Sequence, residues 1–271
     1  MRVDCGIRVR IRGLWFHIFL TLSDYVSKTP ARKLFHFLKL LPYRPRFSTK
    51  DVVQLVIRNN LFLTHLESSS SPELVMRNYA RFSSSLKEDN VVLDVGAHVG
   101  AFSIMSSKAL KKGLVISFEP HPHIYPLLKL NVYLNRLKNV VPLNIAVADF
   151  RGKTVLSVPK DPAASYLGPN IYSKGTFEVQ VNTIDNVCLE KGIDRLNFIK
   201  IHAEGSEMAI LKGASNVLAD NELGVVISSS RLRHSHVRKE ICDHLFQMGF
   251  KVRLGGSPSH PMLYARKGKN I

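Results

Sequence analysis

VVLDVGAHVGAFSI, residues 91–104, decides how the rest of the chain is read. An apolar run carrying an acid near its end, Asp94, gives way to Gly96 and Gly100 and then to a helix-like pattern. A strand that turns this sharply into a helix needs residues free to take unusual backbone angles. The helix N-terminus beyond it offers N–H groups to an anion such as a carboxylate. The dinucleotide fingerprint G-x-G-x-x-G is not met, because His98 stands at its second glycine position, and no phosphate-loop lysine follows. Taken alone, the element is either a ligand-binding turn or a tight structural one.

Outward from it, short apolar runs alternate with helical stretches. LVISF (114–118), VVPLNIAV (140–147), FIKI (198–201) and LGVVIS (223–228) read as strands covered on both faces, with helices over 101–110 and 124–135 between them. Repeated βα units predict an α/β fold with a twisted, mostly parallel sheet and helices on both sides. LVISFEP ends in Glu119, so Asp94 and Glu119 fall at the carboxyl edge of neighbouring strands. An acid at the second position suits the two ribose hydroxyls of an adenosine; a solvated turn glutamate is the other reading. Between 152 and 182, KTVLSV and TFEVQV flank a Pro/Ser/Gly-rich loop and read as an inserted hairpin. FKVRL and MLYARK read as a closing antiparallel pair.

Ahead of this domain, the serine run in ESSSSPELVMRNYARF reads as a linker, with Ser71 as N-cap and Pro72 and Glu73 in the first helical turn. The expected organisation is therefore a basic, mainly helical N-terminal appendage and linker over 1–70, then the main domain over 71–271. Basic and apolar residues mix through the first 47 positions, a pattern that packs on a domain or lies on a membrane surface.

The whole chain is 271 residues long with a net charge of +17, 45% hydrophobic and 22% charged. That composition is globular, and the charge favours anionic partners: RNA, acidic headgroups or phosphorylated substrates. Three dispersed cysteines suggest neither a disulfide framework nor a CxxC metal site. With no apolar run long enough to span a bilayer and no export signal, the expected location is cytoplasmic, with room for a peripheral membrane role.

FIKIHAEGSEMAILKGA (198–214) holds the remaining chemistry: a buried strand ends at His202 and turns through Glu204 and Gly205 into a helix that begins near Glu207. His202 can act as a base near neutral pH. The trio can also bind a divalent metal, or be a hydrogen-bonded histidine with two acids at a helix start. After the next strand come Ser228–Ser230, then Arg231, Arg233, His234 and His236, either a basic rim for a phosphate- or carboxylate-bearing ligand or a solvated helix start. His121 and His123 follow Glu119 at the lip of the adenosine position or face water.

The succession DVGAHVGAFS, FEPHPHIYPLLKLNVYLN, NVVPLNIAVADFRGK, VNTIDNVC and FIKIHAEGSEMAILKGA closely resembles the FkbM family of S-adenosylmethionine-dependent methyltransferases, from about Ser71 to about Leu254. The resemblance implies a Rossmann-like class I methyltransferase with a seven-stranded sheet and S-adenosyl-L-methionine as cofactor. It places Asp94, Gly96, Ala97 and Gly100 around the methionine part and Glu119 on the ribose. Asp149 either contacts adenine or merely starts the turn DFRG. His202, Glu204 and Glu207 become the catalytic candidates. The family strand usually ends IKIDVEGxE, so His202 replaces an aspartate, and the serines at 228–230 stand where a glutamate is common. The implied reaction is O-methylation of a sugar, glycan, lipid-linked saccharide or polyketide-like hydroxyl. The alternatives are RNA methylation, or a binding protein with impaired catalysis.

Overall fold

The computed structural model describes residues 4–11, 14–21, 52–57, 60–65, 72–159, 164–169, 173, 175–257 and 260–268. The chain divides into two compact units, Met1–Leu66 and Glu67–Ile271. The first contains two antiparallel pairs, β1 (Asp4–Ile11) with β2 (Leu14–Thr21) and β3 (Val52–Ile57) with β4 (Asn60–His65). Helices were expected over much of this region. The described stretches are strands because Ile7, Val9 and Ile11 alternate with Arg8 and Arg10, a period of two rather than 3.6. Residues 22–51, and Ser71 as N-cap, lie outside the described residues.

The second unit begins with α1 (Pro72–Ser85) and β5 (Val91–Val95), then α2 (Ala101–Ala109), β6 (Leu114–Phe118), α3 (Tyr125–Leu134) and β7 (Val140–Leu143). The run 140–147 is not one strand. It breaks at Asn144, whose side-chain amide donates to the Glu119 and Pro120 carbonyls, and β8 (Ala146–Val147) joins a different sheet. That smaller sheet holds β9 (Gly152–Val158), β10 (Tyr166–Leu167) and β11 (Gly175–Asn182), with β9 and β11 antiparallel. The chain returns through α4 (Ile184–Glu190), β12 (Phe198–Ile201), α5 (Glu207–Lys212), α6 (Ser215–Asp220) and β13 (Gly224–Ser228). It closes with α7 (Ser235–Gln247), β14 (Lys251–Ser257) and β15 (His260–Arg266).

The main sheet has seven strands in the order β14-β15-β13-β12-β5-β6-β7, antiparallel only at β15. The chain winds outward from β5 through β6 to β7, then crosses back to β12 on the other side of β5. Such a reversal opens a crevice at the carboxyl ends of the strands, where open α/β sheets bind ligands. Successive strand residues enter opposite cores. Leu93, Ile116, Ile199 and Ile227 join one apolar cluster, while Val92, Val115, Phe198 and Val226 join the other.

Candidate active site

On the face shared with Val92 and Phe198 there is a polar row where a purely apolar core would be expected. Parallel register sets Lys200 of β12 directly beside Asp94 of β5, and Asp94 beside Ser117 of β6. Lys200 Nζ donates to Asp94 Oδ1 at 2.9 Å, to the Gly96 carbonyl at 2.7 Å and to the Val95 carbonyl at 3.3 Å. Ser103 Oγ on α2 donates to Asp94 Oδ2 and lies 2.7 Å from Ser117 Oγ. All of these side chains are buried. A charge so far from water is tolerated only when paired and hydrogen-bonded, and each partner here is. The row stands directly beneath the turn after β5 and holds two of its carbonyls. Nothing in the sequence reading singled out Lys200; the available signal was a lysine in the middle of a four-residue apolar strand.

The turn itself shows where its glycines are needed. Gly96 has φ 72°, and a Cβ there would sit 1.9 Å from the His202 carbonyl oxygen. Gly100 has φ 89°, and a Cβ would meet Leu128 of α3 at 2.6 Å. Both glycines therefore admit close packing by other segments, the turn after β12 in one case and α3 in the other. Gly96 and Ala97 also line the cleft, whereas Gly100 and Asp94 do not.

The cleft at the strand ends encloses about 940 Å³ of empty space, part of it open to solvent. Its walls include the 95–99 turn, Ile124, Ile145, Val147, and Leu156 and Leu167 from the smaller sheet. Glu119 enters it from the end of β6 and is only 6% exposed. Its Oε2 accepts the His98 backbone N–H at 2.7 Å and its Oε1 that of His121 at 2.9 Å. His98 takes a left-handed φ of 52° to present that N–H, a conformation that costs a non-glycine residue on the order of 1 kcal/mol. Burial pushes the Glu119 carboxyl up to about 7, against the opposing pull of the His121 and His98 N–H groups and of Lys200. A carboxylate has about four acceptor positions and only two are taken, so it has both capacity and need for further donors. Two vicinal hydroxyls would supply them, and the ribose of S-adenosylmethionine fits the residues present.

Across the cleft, His202 and Glu204 lie together on the turn after β12, and both line the cavity. His202 Nε2 is 3.0 Å from Glu204 Oε1, and Ser230 Oγ donates to Glu204 Oε2 at 2.7 Å. Glu204 has φ 42°, again a left-handed non-glycine residue beside the cavity. Desolvation raises its carboxyl, but the hydrogen bond and charge of His202, with Ser230 and Arg231, bring it net below the ordinary value.

Two expected residues stand elsewhere. Glu207 is buried and folds its carboxylate back onto the Gly205 N–H at 3.0 and 3.2 Å, closing the turn instead of facing the cavity. Asp149 is exposed in the turn before β9 and does not line the cleft. His121 is buried, its Nδ1 accepting the His123 N–H at 3.1 Å, and both rings pack near Phe177 of β11. Among the described residues, no group of three His, Cys, Asp or Glu is arranged to hold a metal ion, and no helix is long and apolar enough to cross a membrane.

Comparison with known proteins bears on what such a cleft takes. The sequence model of the Methyltransferase FkbM domain matches residues 94–252. Methyltransferase sdnD of Sordaria araneosa is 24% identical over 200 residues, covering 62% of this chain and 76% of that protein. Hexuronic acid methyltransferase AglP of Haloferax volcanii is 27% identical over 133 residues, 49% of this chain, which spans about half (53%) of that protein's length. In crystal form, methyltransferase FkbM from Methylobacillus flagellatus KT superposes with a TM-score of 0.50 at 17% identity, over 66% of this chain and 44% of that one.

Proposed function

Because this chain belongs to the FkbM family of S-adenosylmethionine-dependent methyltransferases, we propose that it methylates an oxygen of a sugar, glycan, lipid-linked saccharide or polyketide-like small molecule. The observation that carries the reading is the Glu119 carboxylate, buried, short of donors and facing the same cavity as the 95–99 turn and the His202–Glu204 pair. Glu119 would hold the ribose hydroxyls, the backbone of the turn the amino-acid end, and Ile124, Ile145 and Val147 the adenine. Bound there, the cofactor supplies an electrophilic methyl group on a sulfonium.

His202 and Glu204 serve the acceptor. With the Nε2 proton donated to Glu204, Nδ1 carries the free lone pair and takes the proton of the attacking hydroxyl. Glu204 fixes that tautomer and stabilises the imidazolium that forms. A glutamate is ionised at neutral pH, and Ser230 pins its second oxygen. Histidine stands here where the resembling family usually has an aspartate; it supplies a base and brings a ring that Glu204 can orient.

Calorimetric titration with S-adenosylmethionine and S-adenosylhomocysteine tests the cofactor half. Micromolar binding is expected for the native chain, weakened about a hundredfold or more in Glu119→Ala, since two hydrogen bonds to a charged group are lost. Folded native protein that binds neither compound would sink the reading. A nucleic-acid acceptor is the second reading, favoured by the net charge of +17. RNA binding that falls steeply with added salt, coupled to methyl transfer onto that RNA, would put it first.

A further inference from the structure

We infer that the acceptor carries an oxyanion group, a carboxylate or a phosphate, which seats on Arg231 at the rim beside the His202–Glu204 pair. The inference rests on the methyl-transfer reading above and names the class of molecule that approaches it. Strand β13 ends in Ser228, and a short 3-10 turn, Ser230–Arg233, follows it. Ser230 reaches back to Glu204, which brings this turn against the one that carries the proposed base.

Arg231 comes with it. A Cβ built on Gly205 would lie 3.3 Å from Arg231 Nε and 3.5 Å from both Cζ and Nη2. The guanidinium therefore lies over the side of Gly205 that a Cβ would occupy, next in the chain to Glu204, and Arg231 itself follows Ser230, which binds Glu204. Gly205, with φ 114°, is the residue that allows both the turn and this approach.

Glu204 is the obvious counter-charge, yet its two oxygens are occupied by His202 Nε2 and Ser230 Oγ. Arg231 acts on Glu204 through space and forms no ion pair with it within 4.0 Å. An exposed planar fork with several donors, over a glycine flanked by the cavity-lining Glu204 and Ser206, matches the two oxygens of a carboxylate or phosphate in one bidentate contact. Arg233, exposed in the same 3-10 turn, adds a second positive charge nearby. An acceptor gripped there by its anionic group presents a neighbouring oxygen toward His202.

The 271-residue chain saturated with S-adenosylhomocysteine is titrated with three probes: methyl glucuronide, methyl glucoside 6-phosphate and neutral methyl glucoside. Binding is followed by ligand-observed NMR in the native chain, Arg231→Gln and Arg231→Lys. At least one anionic sugar is expected to bind about tenfold or more tighter than the neutral one, and Arg231→Gln to abolish that preference while the affinity for S-adenosylhomocysteine stays unchanged. Arg231→Lys separates the two anions: it restores phosphate recognition, which a point charge can serve, and leaves carboxylate recognition impaired. Equal binding of all three sugars, no binding of any of them, or a preference that survives Arg231→Gln overturns the inference. Failure to bind S-adenosylhomocysteine at all would instead remove the methyltransferase reading beneath it.

Discussion

Two polar sets lie at the carboxyl end of the sheet, one across β12, β5 and β6 and the other on the turns after β12 and β13, and they differ in almost every physical respect. Beneath the cleft, Lys200, Asp94, Ser103 and Ser117 form a closed set, with the Lys200 and Asp94 side chains 4% and 0% exposed. On the rim, His202, Glu204 and Ser230 form an open one, with the His202 and Glu204 side chains 30% and 19% exposed. The buried set has its charges matched within the protein, with or without a ligand, so its task is to hold the 95–99 turn. The rim set lines the cavity, and its Glu204 combines a left-handed φ of 42° with a carboxyl held below its ordinary pKa, features that cluster at functional sites. Proximity to the cleft does not by itself tell the two tasks apart; satisfaction of each polar atom does.

The comparison breaks most visibly under Lys200→Met. Removing one partner of a buried pair strands the Asp94 carboxylate, and a loss of about 3–5 kcal/mol in folding stability is expected by urea denaturation, with S-adenosylhomocysteine binding weakened as the turn loosens. Native stability in that variant would show the row to be ornamental. His202→Ala should behave oppositely. The denaturation midpoint and cofactor affinity are retained while turnover on any accepted substrate drops roughly 10²–10⁴-fold, the usual share of a general base. Unchanged turnover would take His202 out of the mechanism.

A smaller effect sharpens the contrast at Glu119, which belongs to neither set. In the proposed ribose contact its ionised form would accept two ligand hydroxyls, and burial raises its pKa to about 7 in the free protein. Affinity for S-adenosylhomocysteine is then expected to fall about tenfold between pH 8 and pH 6, and to lose that slope in Glu119→Gln. Stability of the unliganded protein moves the other way. A carboxyl whose folded pKa lies above its ordinary 4.5 binds its proton more tightly when folded, so this group's contribution is present at low pH and declines as pH rises from about 4.5 through about 7. Isothermal titrations and urea midpoints at the same set of pH values read both slopes. Equal affinity at pH 6 and pH 8 would remove Glu119 from ribose recognition.

Much of this was legible in the chain. The βα alternation, the acid-and-glycine turn after the first strand of the domain, Glu119 at the end of the next strand and the His202–Glu204 turn are all local patterns. Local geometry, a period of two or of 3.6 and a sharp strand-to-helix turn, suffices to write them. Other features were not legible for reasons that can be named. The N-terminal run RVRIRGLWFHIFLTL carries both spacings, and its arginine–aliphatic alternation prevails in the described strands. Asn144 divides an apparently continuous apolar run because its amide has carbonyl partners after β6, a contact that apolarity does not encode. Glu207 and Glu204 look alike in sequence, but only one has a backbone N–H close enough to consume its carboxylate.

The sequence by itself determined the order of elements, the class of fold and the placing of acids, glycines and a histidine at strand ends, because each follows from neighbours a few residues apart. The tertiary structure decided which of those groups are available. Asp94 and Glu119 both stand near the carboxyl ends of neighbouring strands, Asp94 opposite Ser117 and Glu119 two residues beyond it. Strand register puts Lys200, 106 residues further along the chain, directly against Asp94 and locks it into the architecture. Glu119 receives only two backbone N–H groups and stays open to a ligand. A hydrogen bond is satisfied in space and not along the chain, so only the assembled sheet could separate the carboxylate that supports the site from the one that serves it.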